Sequence, residues 1–118
     1  MRESFFFEKL LIYQRSLEFS VKVCRLASNF PVKYKRIQDQ LIGAVISVPL
    51  NIAEGSGRKF SKEKINFCNT ARASLFECVP LFEICKSLKL IEANNFDELI
   101  NEAVEISKMI NGFIASIR

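Results

Sequence analysis

The chain has 118 residues, 49% of them hydrophobic and 25% charged, with a formal net charge of +4 and no histidine. That length suits one domain with a modest core, and a domain this apolar has trouble hiding its side chains within a single copy. The lack of histidine removes the commonest general base, metal ligand and pH switch together, which argues against an enzyme.

The start, Phe5-Phe6-Phe7-Glu8-Lys9, is broken by charge too early for a signal-peptide core, and no apolar run reaches the length of a membrane span. These features predict a cytoplasmic protein with no membrane partner. A first helix is expected over about 6–28. Two apolar stripes run along it at three- and four-residue steps: Leu10, Tyr13, Leu17, Val21, Cys24 and Ala27, then Ile12, Phe19, Val23 and Leu26. A helix with two apolar stripes is covered on two sides. Asn29-Phe30-Pro31 stops it, because the residue before proline avoids the helical region.

A second helix is expected over about 34–54, with Ile37, Leu41, Ala44, Val45, Val48 and Ile52 facing inward. Ile42, Ile46 and Leu50 lie off that stripe, and no charge occurs from Gln40 to Ala53, so the helix is predicted to be buried nearly all round. Pro49 removes one backbone bond, predicting a kink or an opening one turn earlier, near Val45. Gly55 is expected to end the helix in a left-handed conformation. Ser61 is a candidate N-cap for a third helix over about 62–88, with Glu63 in its first turn. Its stripe is Cys68, Ala71, Leu75, Cys78, Phe82, Cys85 and Leu88, and Pro80 predicts a second kink. Asn95 with Glu98 resembles a capping box for a fourth helix over about 96–117, which carries Phe96, Leu99, Ala103, Ile106, Ile110, Phe113 and Ile117 on one face. Short connections between four helices predict a single all-α domain, an antiparallel up-down four-helix bundle.

The four cysteines, Cys24, Cys68, Cys78 and Cys85, lie on apolar stripes with no close Cys-x-x-Cys pair. They read as core side chains, not as a metal or redox site. Di-iron bundles and covalently attached haem both need histidine, so no cofactor is expected. Gly55-x-Gly57 lacks the third glycine and the preceding strand of a dinucleotide site. The turn does combine glycine N–H groups, Arg58 and Lys59 and a helix N-terminus, parts that together hold phosphate. The plainer alternative is a solvated turn.

If the second hairpin turns near Arg58, residues whose numbers sum to about 116 lie level. That register places Gln40 against Glu77, Ser47 against Thr70 and Glu54 against Lys62, with Asn51 satisfying backbone groups near the turn. Charge is polarised: Arg58, Lys59, Lys62 and Lys64 are countered only by Glu63, whereas Glu92, Asp97, Glu98, Glu102 and Glu105 have no cation among them. Arg2, Lys9 and Arg118 are expected at the same end as the first cluster. Lys33, Lys35, Arg36, Lys86 and Lys89 are expected at the other. The spare apolar stripes of the first two helices predict self-association, for which a closed ring of identical subunits is one solution.

Ser47-Val48-Pro49-x-Asn51-Ile52-Ala53-Glu54-Gly55-x-Gly57-Arg58 resembles the signature of the four-helix-bundle proteins encoded by intervening sequences of bacterial 23S rRNA genes. Gln40-Leu41 precedes it at the family's spacing, Phe67-x-x-x-Ala71-x-x-Ser74-Leu75-x-Glu77 resembles the family's third helix, and Phe30-Pro31 its first turn. The resemblance implies a homopentameric ring whose biochemical role is not established. It also implies kinship with the accessory protein of diversity-generating retroelements, a basic pentamer that binds nucleic acid and its reverse transcriptase. Ile42 and Gly43 stand where relatives often carry basic residues, Ala73 stands where glycine is usual, and Pro80 is not a family feature. The leading expectation is a non-enzymatic module binding RNA or DNA backbone. The alternative is a protein-interaction scaffold using an acidic fourth helix and basic ends.

Overall fold

The computed structural model describes Arg2–Arg118. It is all-α, with four long helices: α1 (Leu11–Ala27), α2 (Lys35–Ser56), α3 (Ser61–Ser87) and α4 (Ala93–Ile117). Short 3₁₀ turns, Phe6–Lys9 and Val32–Tyr34, precede α1 and α2. The expected first helix is thus shorter. Leu10 is extended (φ −76°, ψ 127°), which lets Phe7 fold back edge-on to the Tyr13 ring with centroids 4.8 Å apart.

The core follows the helical period. Ile12, Phe19 and Val23 of α1 are buried together with Leu41, Val45, Val48 and Ile52 of α2, Cys68, Leu75, Cys78, Phe82 and Cys85 of α3, and Leu99, Ile106 and Ile110 of α4. Phe19 and Phe82 meet edge to face at 6.1 Å in the centre. Burial pushes the Cys78 thiol up to about 12, with a smaller contribution from Glu77, and the Cys85 thiol up to about 11. These cysteines act as small apolar side chains.

Both internal prolines are accommodated without ending their helices. Pro49 leaves the Val45 carbonyl without its usual donor, as expected. The replacement comes from α1: the buried Ser20 hydroxyl donates to the Val45 carbonyl at 2.8 Å. Pro80 frees the carbonyl of Phe76, on an exposed side of α3 where water can supply the bond.

The α2–α3 hairpin departs from its expected form. Gly55 does not stop α2, which continues to Ser56, and no glycine among the described residues has positive φ. Gly55 is instead a point of close approach. A Cβ added there would stand 2.7 Å from Phe67 Cβ and 3.3 Å from the Lys64 carbonyl oxygen. Phe60, with extended backbone, is the N-cap of α3, and Ser61 is its first helical residue. Glu92, not Asn95, holds the N-cap position of α4, without a side-chain capping bond. The hairpin register also differs from the expected one. Ser47 meets Ser74, hydroxyl to hydroxyl at 2.8 Å, while Thr70 bonds back to the Asn66 carbonyl at 3.1 Å. Asn51 Nδ2 donates to the Ser47 carbonyl at 2.8 Å and to Ser47 Oγ at 2.9 Å, tying Asn51 into the same seam. Gln40 and Glu77 are both exposed and make no bond to each other.

The left-handed residue is Lys89 (φ 60°), at the end of α3. Leu90 N–H reaches the Cys85 carbonyl at 2.8 Å and Lys89 N–H the Lys86 carbonyl at 3.0 Å, the Schellman pattern. A lysine there bears a Cβ cost that glycine avoids. Lys89→Gly is expected to stabilise the protein by about 1 kcal/mol, read as a rise in urea midpoint.

Candidate nucleic-acid interface

One rim of the molecule forms where the segment before α1 meets the α2–α3 turn, with Phe5, Phe6 and Phe7 facing Glu54, Gly57 and Arg58. Its cations differ sharply in how committed they are. Arg58 donates to Glu54 at 2.7 Å, lies 4.0 Å from Glu63, and sits over the Phe67 ring at 4.8 Å. Glu54 therefore pairs with Arg58, one helical turn on, and not with Lys62. Arg2 forms a two-pronged pair with Glu8 at 2.7 and 2.9 Å. Lys59, Lys62 and Lys64 form no ion pair among the described residues, and Lys59 lies 5.6 Å from the Phe60 ring centroid. Lys62 and Lys64 are two residues apart on α3, roughly 200° around its axis, so they look to different sides. Lys59 and Lys62, with exposed Phe60 between them in the chain, are exposed, whereas Lys64 is half-buried.

Arg2 and a backbone N–H from Phe5 together hold the Glu8 carboxyl down from its ordinary 4.5 to about 2. The folded value lies below the unfolded one, so this link is complete above about pH 4.5 and is lost as pH falls through 2. Acid titration in that window is expected to release the Phe5–Phe7 segment while the helices persist. Aromatic NMR signals of Phe5 and Phe7, which stack at 5.7 Å, check it.

Elsewhere Lys35 pairs with Asp39 at 3.3 Å, Lys33 lies 5.2 Å from the Tyr34 ring and Lys86 lies 4.5 Å from the Phe96 ring. Arg36 is exposed and has no ion pair among the described residues. The acidic face of α4 is turned to α1: Arg15 meets Glu105 at 2.6 Å, and Lys22 meets Glu102 and, at 3.6 Å, Glu98.

The remaining signature residues are structural in placement. Pro49 and Ile52 are buried, Ala53 is half-buried, and Gly55, Ser47, Asn51 and Ser74 hold the α2–α3 seam together. Sequence reasoning missed the pairing of Arg58 with Glu54, although their four-residue spacing signals it. It also missed the cleft that Phe5, Phe6 and Phe7 form with Glu54, Gly57 and Arg58.

On the flank, Leu17, Val21, Ile46 and Leu50 are exposed and line an apolar groove of about 510 Å³ between α1 and α2, floored by Ser20 and Pro49. No helix among the described residues is long and apolar enough to cross a membrane, and none of their His, Cys, Asp or Glu side chains group to hold a metal ion.

These features define an all-α, four-helix protein whose signature residues lie mainly along one helix–helix seam. A family model described as 23S rRNA-intervening sequence protein matches residues 8–112, and the chain belongs to that family. A crystal structure from Bacteroides thetaiotaomicron VPI-5482, described as a protein with unknown function from the S23 ribosomal protein family, is similar in fold. Its TM-score is 0.80 at 23% identity, over 88% of this chain and 98% of that one. No curated protein matches the chain.

Proposed function

We propose that the protein is a non-enzymatic module that binds the backbone of RNA or DNA and acts as a homo-oligomer. The observation that carries this reading is the set of uncommitted lysines, Lys59, Lys62 and Lys64, on a rim where the arginines Arg2 and Arg58 are already paired. Lysines without internal partners are free to neutralise phosphates and release counterions. Lys33 and Arg36 offer a second, weaker set. Contacts between neighbouring helices step in opposite senses along the chain, Gly55 with Phe67 and Ser47 with Ser74, which supports an antiparallel up-down bundle with these two sets at opposite ends. The α1–α2 groove supports assembly through a second copy. The family resemblance points to a pentameric ring, in which each rim would repeat and weak contacts would add.

Titration of labelled RNA and DNA at several salt concentrations tests this. Affinity is expected to fall steeply with salt. Lys59→Glu with Lys62→Glu is expected to weaken binding about tenfold, roughly 1.4 kcal/mol, without a change in thermal midpoint. Absence of binding at low salt overturns the reading. Light scattering tests assembly: Leu50→Glu is expected to yield monomers, and a stable wild-type monomer refutes the ring. A scaffold reading has less support, because Glu98, Glu102 and Glu105 are engaged by α1. Pull-down after nuclease treatment separates the two, and a partner such as a reverse transcriptase retained after nuclease would favour the scaffold.

A further inference from the structure

The rim carries a feature that backbone binding does not use. Phe6 and Phe60 are large aromatic residues left 64% and 60% exposed. Phe5 is equally open on the side away from Phe7. An exposed phenylalanine gains nothing for the fold by this placement, since apolar surface left in water is unfavourable. Phe5, Phe6 and Phe7 form one wall of a cleft of about 450 Å³ whose other wall is Glu54, Gly57 and Arg58. On the polar wall Glu54 and Arg58 bond at 2.7 Å, and the Arg58 guanidinium lies over Phe67.

Phosphate does not suit this cleft, because the Glu54 carboxylate faces it and Arg58 is already neutralised. A flat ring with N–H groups on its edge does suit it. The phenylalanine faces can stack on such a ring, and a carboxylate oxygen accepts from its amino group. Lys59 and Lys62 follow Arg58 within four residues and form no ion pair among the described residues, which leaves them free to hold phosphates. We propose that this rim binds single-stranded nucleic acid by taking an unstacked nucleobase against Phe6, with Phe60 as a second stacking platform. A duplex cannot present an unstacked base, so it would use the lysines alone. This inference rests on the reading that the rim binds nucleic acid backbone.

The test compares a labelled single strand with the corresponding duplex at low salt, using the full chain. The single strand is expected to bind at least tenfold more tightly. Phe6→Leu and Phe60→Leu are each expected to lower single-strand affinity about tenfold and leave duplex affinity unchanged, while Phe6→Tyr retains it. Leucine keeps the apolar bulk and removes the π face. Circular dichroism melts check that the variants fold. Equal affinity for both forms, with neutral leucine variants, overturns base stacking and leaves backbone binding standing. Failure of both nucleic acids to bind overturns both readings. Binding to anionic phospholipid vesicles that survives the leucine substitutions, without single-strand preference, reassigns the exposed rings to a lipid surface and overturns the proposal.

Discussion

Gly55→Val is expected to destabilise the protein by about 3 kcal/mol, at the upper end of what overpacking a tight contact costs. The cause is geometric. The first atom added at position 55 meets Phe67 Cβ at 2.7 Å and the Lys64 carbonyl oxygen at 3.3 Å. Neither is the far end of a flexible side chain, so α2 and α3 must separate. Separation in turn strains the Ser47–Ser74 bond and the core around Leu75. Gly55→Ala is expected to cost less, because alanine recovers about 1 kcal/mol of helix propensity that offsets part of the clash. Gly43 and Gly112 supply the control. Both are helical, and a Cβ at either meets nothing within 4 Å. Gly43→Ala and Gly112→Ala are expected to stabilise the protein by roughly 0.5–1 kcal/mol each, through propensity alone. Urea denaturation of the series checks the signs. A stabilising Gly55→Ala would show that the seam is looser than its geometry implies.

The same glycine marks the boundary of what was legible in the chain. Helical periodicity alone predicts the main buried stripes of α2, α3 and α4, because burial of a stripe is a property of one helix. The lack of charge in α2 predicts burial nearly all round, but Ile46 and Leu50 are exposed, as is Leu88 at the end of α3. On α1 periodicity yields two stripes and does not rank them. The buried one includes Ser16 and Ser20, which no hydrophobicity pattern selects. Local preference makes Gly55 a helix stop, whereas the structure uses it for close approach to Phe67, twelve residues away in sequence. The register expected from a turn near Arg58 misses the stagger of the two helices for the same reason: Ser47 meets Ser74 in place of Thr70, and Glu54 pairs with Arg58. The rim shows the same division. The position of Lys59 and Lys62 beside a turn is local and readable. The pairing of Lys22 with Glu98 and Glu102, far apart in the chain, depends on which helices are neighbours and leaves no mark in either segment.

Ser20→Ala is expected to cost about 2 kcal/mol, more than a surface serine is worth, because it orphans a carbonyl. Val45 cannot use the residue 49 amide, and its side chain is fully buried. Its carbonyl takes the Ser20 hydroxyl at 2.8 Å instead. The cost therefore depends on proline. In a Pro49→Ala background the restored N–H reaches Val45, and Ser20→Ala is expected to cost less than about 1 kcal/mol. The difference between backgrounds is the coupling energy of the serine and the proline, obtained from four urea curves. Equal costs in both backgrounds would mean that Ser20 contributes by packing and that the proline's lost bond is satisfied by solvent. The distinction matters beyond α2. Ser20 and Pro49 floor the apolar groove between Leu17, Val21, Ile46 and Leu50. A proline in mid-helix holds no amide toward that groove, and a serine from the facing helix covers the carbonyl its presence exposes. The floor is thereby free of unpaired polar groups, as a surface must be if another apolar surface is to cover it. The double-mutant cycle thus measures a local bond and also whether the groove is finished as a contact surface.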